Sequence, residues 1–181
     1  METSKAKPRR EREGFYRRFI VGDGIDIGPQ NDPLDRRLGN VLWDRPNDAH
    51  DLSMIPSAAF AWVYSSHCLE HLERPEVALR EWWRVLMPGG HLIVVVPHRD
   101  LYEKRTTMPS RWNHEHKFFL LPDRDEPPCT FGLLPMVRRA LGPGPELVYL
   151  RVCSDGWEPT PADVHAQGEY SIELVMRKGR A

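Results

Sequence analysis

The run from Val63 to Pro97 limits the fold more than any other part of this chain. It opens with the apolar stretch Val63-Tyr64-Ser65-Ser66 and closes with Leu92-Ile93-Val94-Val95-Val96-Pro97. Between them lie Pro75 and a periodic apolar set, Val77, Ala78, Trp82, Val85 and Leu86, ending at Pro88-Gly89-Gly90. Apolar residues at helical spacing between two β-branched runs predict strand, helix, strand. Pro75 suits a first helical turn, where its missing N–H is no loss, and the Pro-Gly-Gly is expected to end the helix and reverse the chain. Strands this uniformly apolar are buried on both faces, so the unit is one βαβ step of a parallel sheet with helices on either side. Trp82 and Trp83 are expected as core and rim packing.

Upstream, Gly24-Ile25-Asp26-Ile27-Gly28 reads as a first core strand with the turn that leaves it, and Val41-Leu42-Trp43-Asp44 as the next strand. Only 20 positions separate Gly28 from Asp48, too few for a full helix, strand, helix and third strand at usual lengths. The sheet is therefore expected to be trimmed between strands 2 and 4. Downstream, Leu133 to Leu141 predicts a short helix, and Glu146 to Cys153 with Tyr170 to Arg177 two final strands. Pro122 to Pro128 reads as a rigid extended connector. The expected fold class is α/β: a doubly wound, Rossmann-like, mostly parallel sheet.

A chain of 181 residues, 40% hydrophobic and 28% charged, can bury one good core, so residues 14–181 are expected to form a single domain. Residues 1–13, with Lys5, Lys7, Arg9, Arg10, Arg12 and few apolar side chains, predict a mobile charged tail. Phe15, Tyr16, Phe19 and Ile20 then suggest a short amphipathic helix on the sheet. The formal net charge of -1 argues against a polyanion held over the whole surface, so no nucleic-acid partner is expected. No apolar run approaches the roughly 18 residues of a membrane span, and a cytoplasmic location is expected. Three cysteines, Cys68, Cys129 and Cys153, at wide spacing suit reduced thiols. Cys68-x-x-His71 has metal-ligand spacing without a partner pair nearby in sequence, and no metal is expected.

In order and wording, Gly24-Ile25-Asp26-Ile27-Gly28, the Ser65-Ser66-His67-Cys68-Leu69-Glu70-His71-Leu72 stretch and Pro88-Gly89-Gly90 resemble the class I S-adenosylmethionine-dependent methyltransferases over roughly residues 20 to 120. The resemblance implies S-adenosylmethionine as cofactor and an antiparallel edge hairpin at the C-terminus. It also implies a cofactor set of Asp26, Ile27, Gly28, Pro29, Asp44, Asp48, Ala49, Ser65, Ser66 and His67. Asp26 and Gly28 match the acidic and glycine positions of the family's first motif, Asp44 the acid that meets the ribose hydroxyls, and Asp48-Ala49 the pair beside the adenine. Pro29-Gln30-Asn31 departs from the pattern by replacing the second and third glycines.

After Pro97 comes a segment dense in titratable and aromatic groups, more than a plain connection needs. The family places the methyl acceptor there. His116, Glu103, His98 and Asp100 are the candidate bases and Tyr102, Arg105 and Asn113 the acceptor-binding groups; a base is needed only for a hydroxyl or a protonated amine. A small polar acceptor, a sugar or other metabolite methylated at oxygen or nitrogen, is the leading reading. Alternatives are a nucleic-acid or protein methyltransferase, a nucleotide-binding oxidoreductase, or an inactive cofactor-binding relative. The missing Gly-x-Gly-x-x-Gly fingerprint counts against the oxidoreductase.

Overall fold

The computed structural model describes residues 2–44 and 47–179. Its central sheet joins β1 (Gly24–Ile27), β2 (Asn40–Trp43), β3 (Phe60–Ser66), β4 (Leu86–Pro97), β7 (Glu146–Cys153) and β8 (Ser171–Arg177) in the order β2-β1-β3-β4-β8-β7. The first four strands are parallel, while β8 and β7 are antiparallel to their neighbours and form the expected edge hairpin. A second, two-stranded parallel sheet pairs β5 (Phe119–Leu121) with β6 (Thr130–Gly132).

Side chains alternate across the sheet with period two. Val63 on β3, Leu92, Val94 and Val96 on β4, and Ile172, Leu174 and Met176 on β8 face one core, under α3 (Pro75–Val85) and α5 (Leu133–Leu141). Trp62, Tyr64, Ile93, Val95 and Val175 face the other, under α2 (Phe15–Phe19). The unbroken apolar run on β4 is what such double coverage requires. Trp82 is fully buried in the first core and Trp83 packs at its margin.

Trimming is more extensive than the spacing suggested. The β1–β2 crossover carries only the 3₁₀ turn Arg36–Leu38, and among the described residues no helix or strand lies between β2 and β3. The Pro-Gly-Gly expectation needs correcting: α3 already ends at Val85, and β4 runs on through Met87-Pro88-Gly89-Gly90. A Cβ at Gly90 would lie 2.6 Å from the Ala61 carbonyl oxygen, so the glycine serves close strand approach.

The expected mobile tail is instead a helix, α1 (Glu2–Arg12), carrying Arg9 and Arg10 into the interior. Arg9 Nε lies 3.0 Å from Glu169, and Arg10 Nε 2.7 Å from Glu173 on β8. Arg10 also donates to the Tyr64 hydroxyl on β3 at 2.8 Å. Buried charges persist because each has a charged partner. Those partners lie about 160 positions away in sequence, beyond the reach of a composition argument. Among the described residues no helix is long and apolar enough to cross a membrane, and all three cysteines are free.

Candidate functional site

Ligands in open α/β sheets bind beyond the carboxyl ends of the parallel strands, and two adjoining clefts open there. The first, about 480 Å³, is lined by Gly28, Gln30, Asp44, Asp48, Ala49 and Leu72, among others. The second, about 370 Å³, is lined by Gly28, Pro29, Ser66, His67, Glu70, His71, Tyr102, Asn113, His116 and Tyr170, with Glu2 and Thr3 from α1. Both volumes are ligand-sized. Gly28, Gln30, His71 and Glu115 line both, so Gly28 sits where the two lobes meet.

Local backbone explains the junction. Gly28 has φ of +68° and donates its N–H to the Trp43 carbonyl at 2.9 Å, which sets Asp44 beside the turn. A Cβ at Gly28 would lie 2.6 Å from Cys68 Sγ. Gln30, standing in the loop without the family's later glycines, still takes a left-handed φ of +47°. Two tryptophans that the sequence marked only as strand and core residues also brace this lobe: Trp43 Nε1 donates to the Asp48 carbonyl and Trp82 Nε1 to the Ala49 carbonyl, at 3.1 and 2.8 Å. His50 binds the Asp48 carboxylate through its backbone N–H and ring, and these bonds hold that carboxyl below its ordinary value.

Of the expected cofactor set, Gly28, Asp44, Asp48 and Ala49 line the first lobe, and Gly28, Pro29, Ser66 and His67 the second. Asp26, Ile27 and Ser65 line neither, because they are buried beneath the turn. Asp26 accepts from the Leu34 N–H at 2.8 Å, and burial pushes its carboxyl up to about 7 against that bond. Ser65 donates to the Ile27 carbonyl at 3.1 Å.

The acceptor candidates divide as sharply. His116, Tyr102 and Asn113 line the second lobe. Glu103 stands behind His116, its Oε1 2.7 Å from His116 Nδ1, and it accepts from Ser110 Oγ at 2.8 Å. His98, Asp100 and Arg105 are not brought in. His98 caps α4 (Arg99–Tyr102) by accepting from the Asp100 N–H, Asp100 is held by Arg99, and Arg105 reaches Thr107. All three follow β4 in sequence, yet none of them lines either lobe.

Glu70, absent from the candidate set, is part of the wall of the second lobe. It is 0% exposed and neither carboxylate oxygen has a hydrogen-bond partner among the described residues. Burial pushes its carboxyl up to about 7, with His116 opposing. His67, at a left-handed φ of +52°, is pushed down to about 3 by burial. The Leu-Glu-His wording of the sequence was the available signal, though an acid in a turn ordinarily points to water. Burial also pushes the Cys68 thiol up to about 12, which leaves it protonated and inert.

Residues 8–94 match the family described as "Methyltransferase domain". The chain is similar to ajmaline N-methyltransferase of Rauvolfia serpentina, 36% identical over 86 residues, which cover 43% of this chain and 29% of that protein. The chain thus matches less than a third of the length of that relative. Two solved structures share the fold. A possible histamine N-methyltransferase from Thermotoga maritima is 18% identical, with 96% of this chain and 97% of that one covered at a TM-score of 0.52. A structure from Bacillus halodurans described as "a putative methyltransferase" is 13% identical, with 88% of this chain and 92% of that one covered at a TM-score of 0.58. Residues 8–94, just under half of the chain, thus match the "Methyltransferase domain" family, and the sheet, with its strand order and edge hairpin, shares the fold of these two structures.

Proposed function

We propose that this chain transfers the methyl group of S-adenosylmethionine to a small polar acceptor, a sugar or other metabolite, at oxygen or nitrogen. The observation that carries the reading is the pair of lobes meeting at Gly28. One offers carboxylates and an apolar wall, the other a buried cluster of acid, histidine and tyrosine.

The residues fit the cofactor's chemistry. Asp44 can accept from ribose hydroxyls, which a carboxylate does better than a neutral side chain. Ala49 and Leu72 offer apolar surface beside Asp48 for the adenine. Gly28, Ser66 and His67 meet the methionine end, where Glu2 places negative charge near a sulfonium and an ammonium. The cofactor supplies a methyl carbon activated by positive sulfur. The chain's part is to align the acceptor and exclude water. Tyr102, Asn113 and His116 line the acceptor side, and Glu103 holds His116 through its Nδ1. The nitrogen acceptor in the name of the plant relative supports the N-methylation branch.

Methyl-labelled S-adenosylmethionine, offered with a panel of small hydroxylated and amino compounds, tests the proposal by mass spectrometry. Label should enter a small acceptor. His116→Gln and Glu103→Gln should lower transfer by about a hundredfold or more while leaving S-adenosylhomocysteine affinity within a few fold. Variants that lose cofactor binding yet keep turnover at saturating cofactor would make this wall a cofactor lid.

A further inference from the structure

We propose that Glu70, His71 and His116, with His67 as a further nitrogen donor, bind a divalent first-row transition ion of the zinc class. One ligand atom from each of Glu70, His71 and His116 lies within 4.8 Å of the others. Around Glu70 Oε1 stand His67 Nδ1 at 3.6 Å, His71 Nε2 at 3.8 Å and His116 Nε2 at 3.8 Å. These separations are too long for hydrogen bonds. They come close to the roughly 3 to 3.5 Å between donors that each sit about 2.0–2.2 Å from one ion.

The rings are also turned for ligation. His116 Nδ1 faces Glu103, itself fixed by Ser110, so the Nδ1 proton belongs on that side and Nε2 carries the lone pair toward Glu70. A carboxylate behind a histidine is how metal-ligating imidazoles are commonly held. His67 Nε2 lies 2.9 Å from Ser171 Oγ, which leaves Nδ1 toward the same carboxylate. Two further contacts join the two halves: Lys117 N–H donates to the Glu70 carbonyl at 2.8 Å, and the His71 and His116 rings meet edge to face with centroids 4.8 Å apart.

A buried carboxylate without hydrogen bonds is costly unless a cation completes it. Imidazole nitrogens with one carboxylate suit Zn²⁺, Co²⁺, Ni²⁺ or Fe²⁺, whereas Mg²⁺ and Ca²⁺ prefer oxygen donors. The cluster borders the second lobe beside Tyr102 and Asn113, so open coordination positions would face that space. Ion binding here does not depend on methyl transfer.

The test uses the full chain free of any histidine tag, stripped with chelator and titrated with Co²⁺ by absorption and Zn²⁺ by calorimetry. One equivalent should bind, with the ligand-field bands of a nitrogen-containing site. His71→Ala and His116→Ala should abolish binding, and Glu103→Gln, which keeps every ligand, should weaken it about 10–100-fold. His91→Ala, on β4 beside Phe19, should change nothing. Circular dichroism confirms folding, and Glu103→Gln decides the matter if the alanine variants fail to fold. Absence of stoichiometric binding by folded parent protein, or equal binding by parent and Glu103→Gln, would overturn the site. S-adenosylhomocysteine titrated into the same sample separates the readings: cofactor binding without ion binding removes the ion site alone.

Discussion

Gly28 shows how one residue can serve fold and site together. Its left-handed φ and the 2.6 Å approach of Cys68 Sγ leave no room for a side chain, and the same turn opens both lobes. Gly28→Ala should therefore lower Tm as well as cofactor affinity. Asp48→Ala separates the two effects: its side chain is 60% exposed, so the fold should hold while S-adenosylhomocysteine binds several fold weaker, about 1 kcal/mol. Calorimetry at matched folded fractions checks both; unchanged affinity in each would place the cofactor elsewhere. Gly28 and Asp44 were legible in sequence because each follows directly on a strand end, and Asp48 because Asp48-Ala49 matches the pair that the resemblance places beside the adenine. Glu2, Thr3 and Tyr170 were not, because they reach the cleft from the two ends of the chain. His98, Asp100 and Arg105 stand near Tyr102 in sequence, and only their partners in the fold, the Asp100 N–H, Arg99 and Thr107, set them apart from it.

At the scale of elements, α1 is where reading from composition failed. Its buried side chains are arginines, so hydropathy marks it as solvated, yet Glu169 and Glu173 bind it across the sheet. Through it Glu2 reaches Tyr170, whose hydroxyl donates at 2.6 Å, and Thr3 meets Tyr64 at 3.2 Å. Burial alone would raise the Glu173 carboxyl; Arg10 and Arg9 outweigh it and hold it below 4.5. A carboxyl lowered in the fold stabilises above the unfolded value and loses that contribution as pH falls through the folded one. Glu173→Gln strands buried guanidinium charge and should cost about 3–5 kcal/mol near neutral pH. The gap from parent should narrow below pH 4.5. Denaturant melts at pH 7 and pH 4 check this, and equal gaps at both would contradict the pairing. By contrast, α3, α5 and the second half of β4 were legible because periodicity and burial agree in them, and the edge hairpin followed from the family resemblance.

For the whole molecule, a sheet with shortened crossovers on one side keeps two adjoining clefts that meet at Gly28. Strand order β2-β1-β3-β4-β8-β7 survives while the β1–β2 and β2–β3 connections carry little regular structure. Spacing foretold the shortening, but a spacing count cannot say which connection lost its helix. The small β5–β6 sheet was not foreseen, because three-residue strands carry too little periodicity to read. The most direct measurement is calorimetric titration of the purified chain with S-adenosylhomocysteine and, separately, NADH. One S-adenosylhomocysteine per chain should bind with no response to NADH, since the Gly28 turn lacks a pyrophosphate loop. Binding of NADH with no response to S-adenosylhomocysteine would contradict the account at its centre.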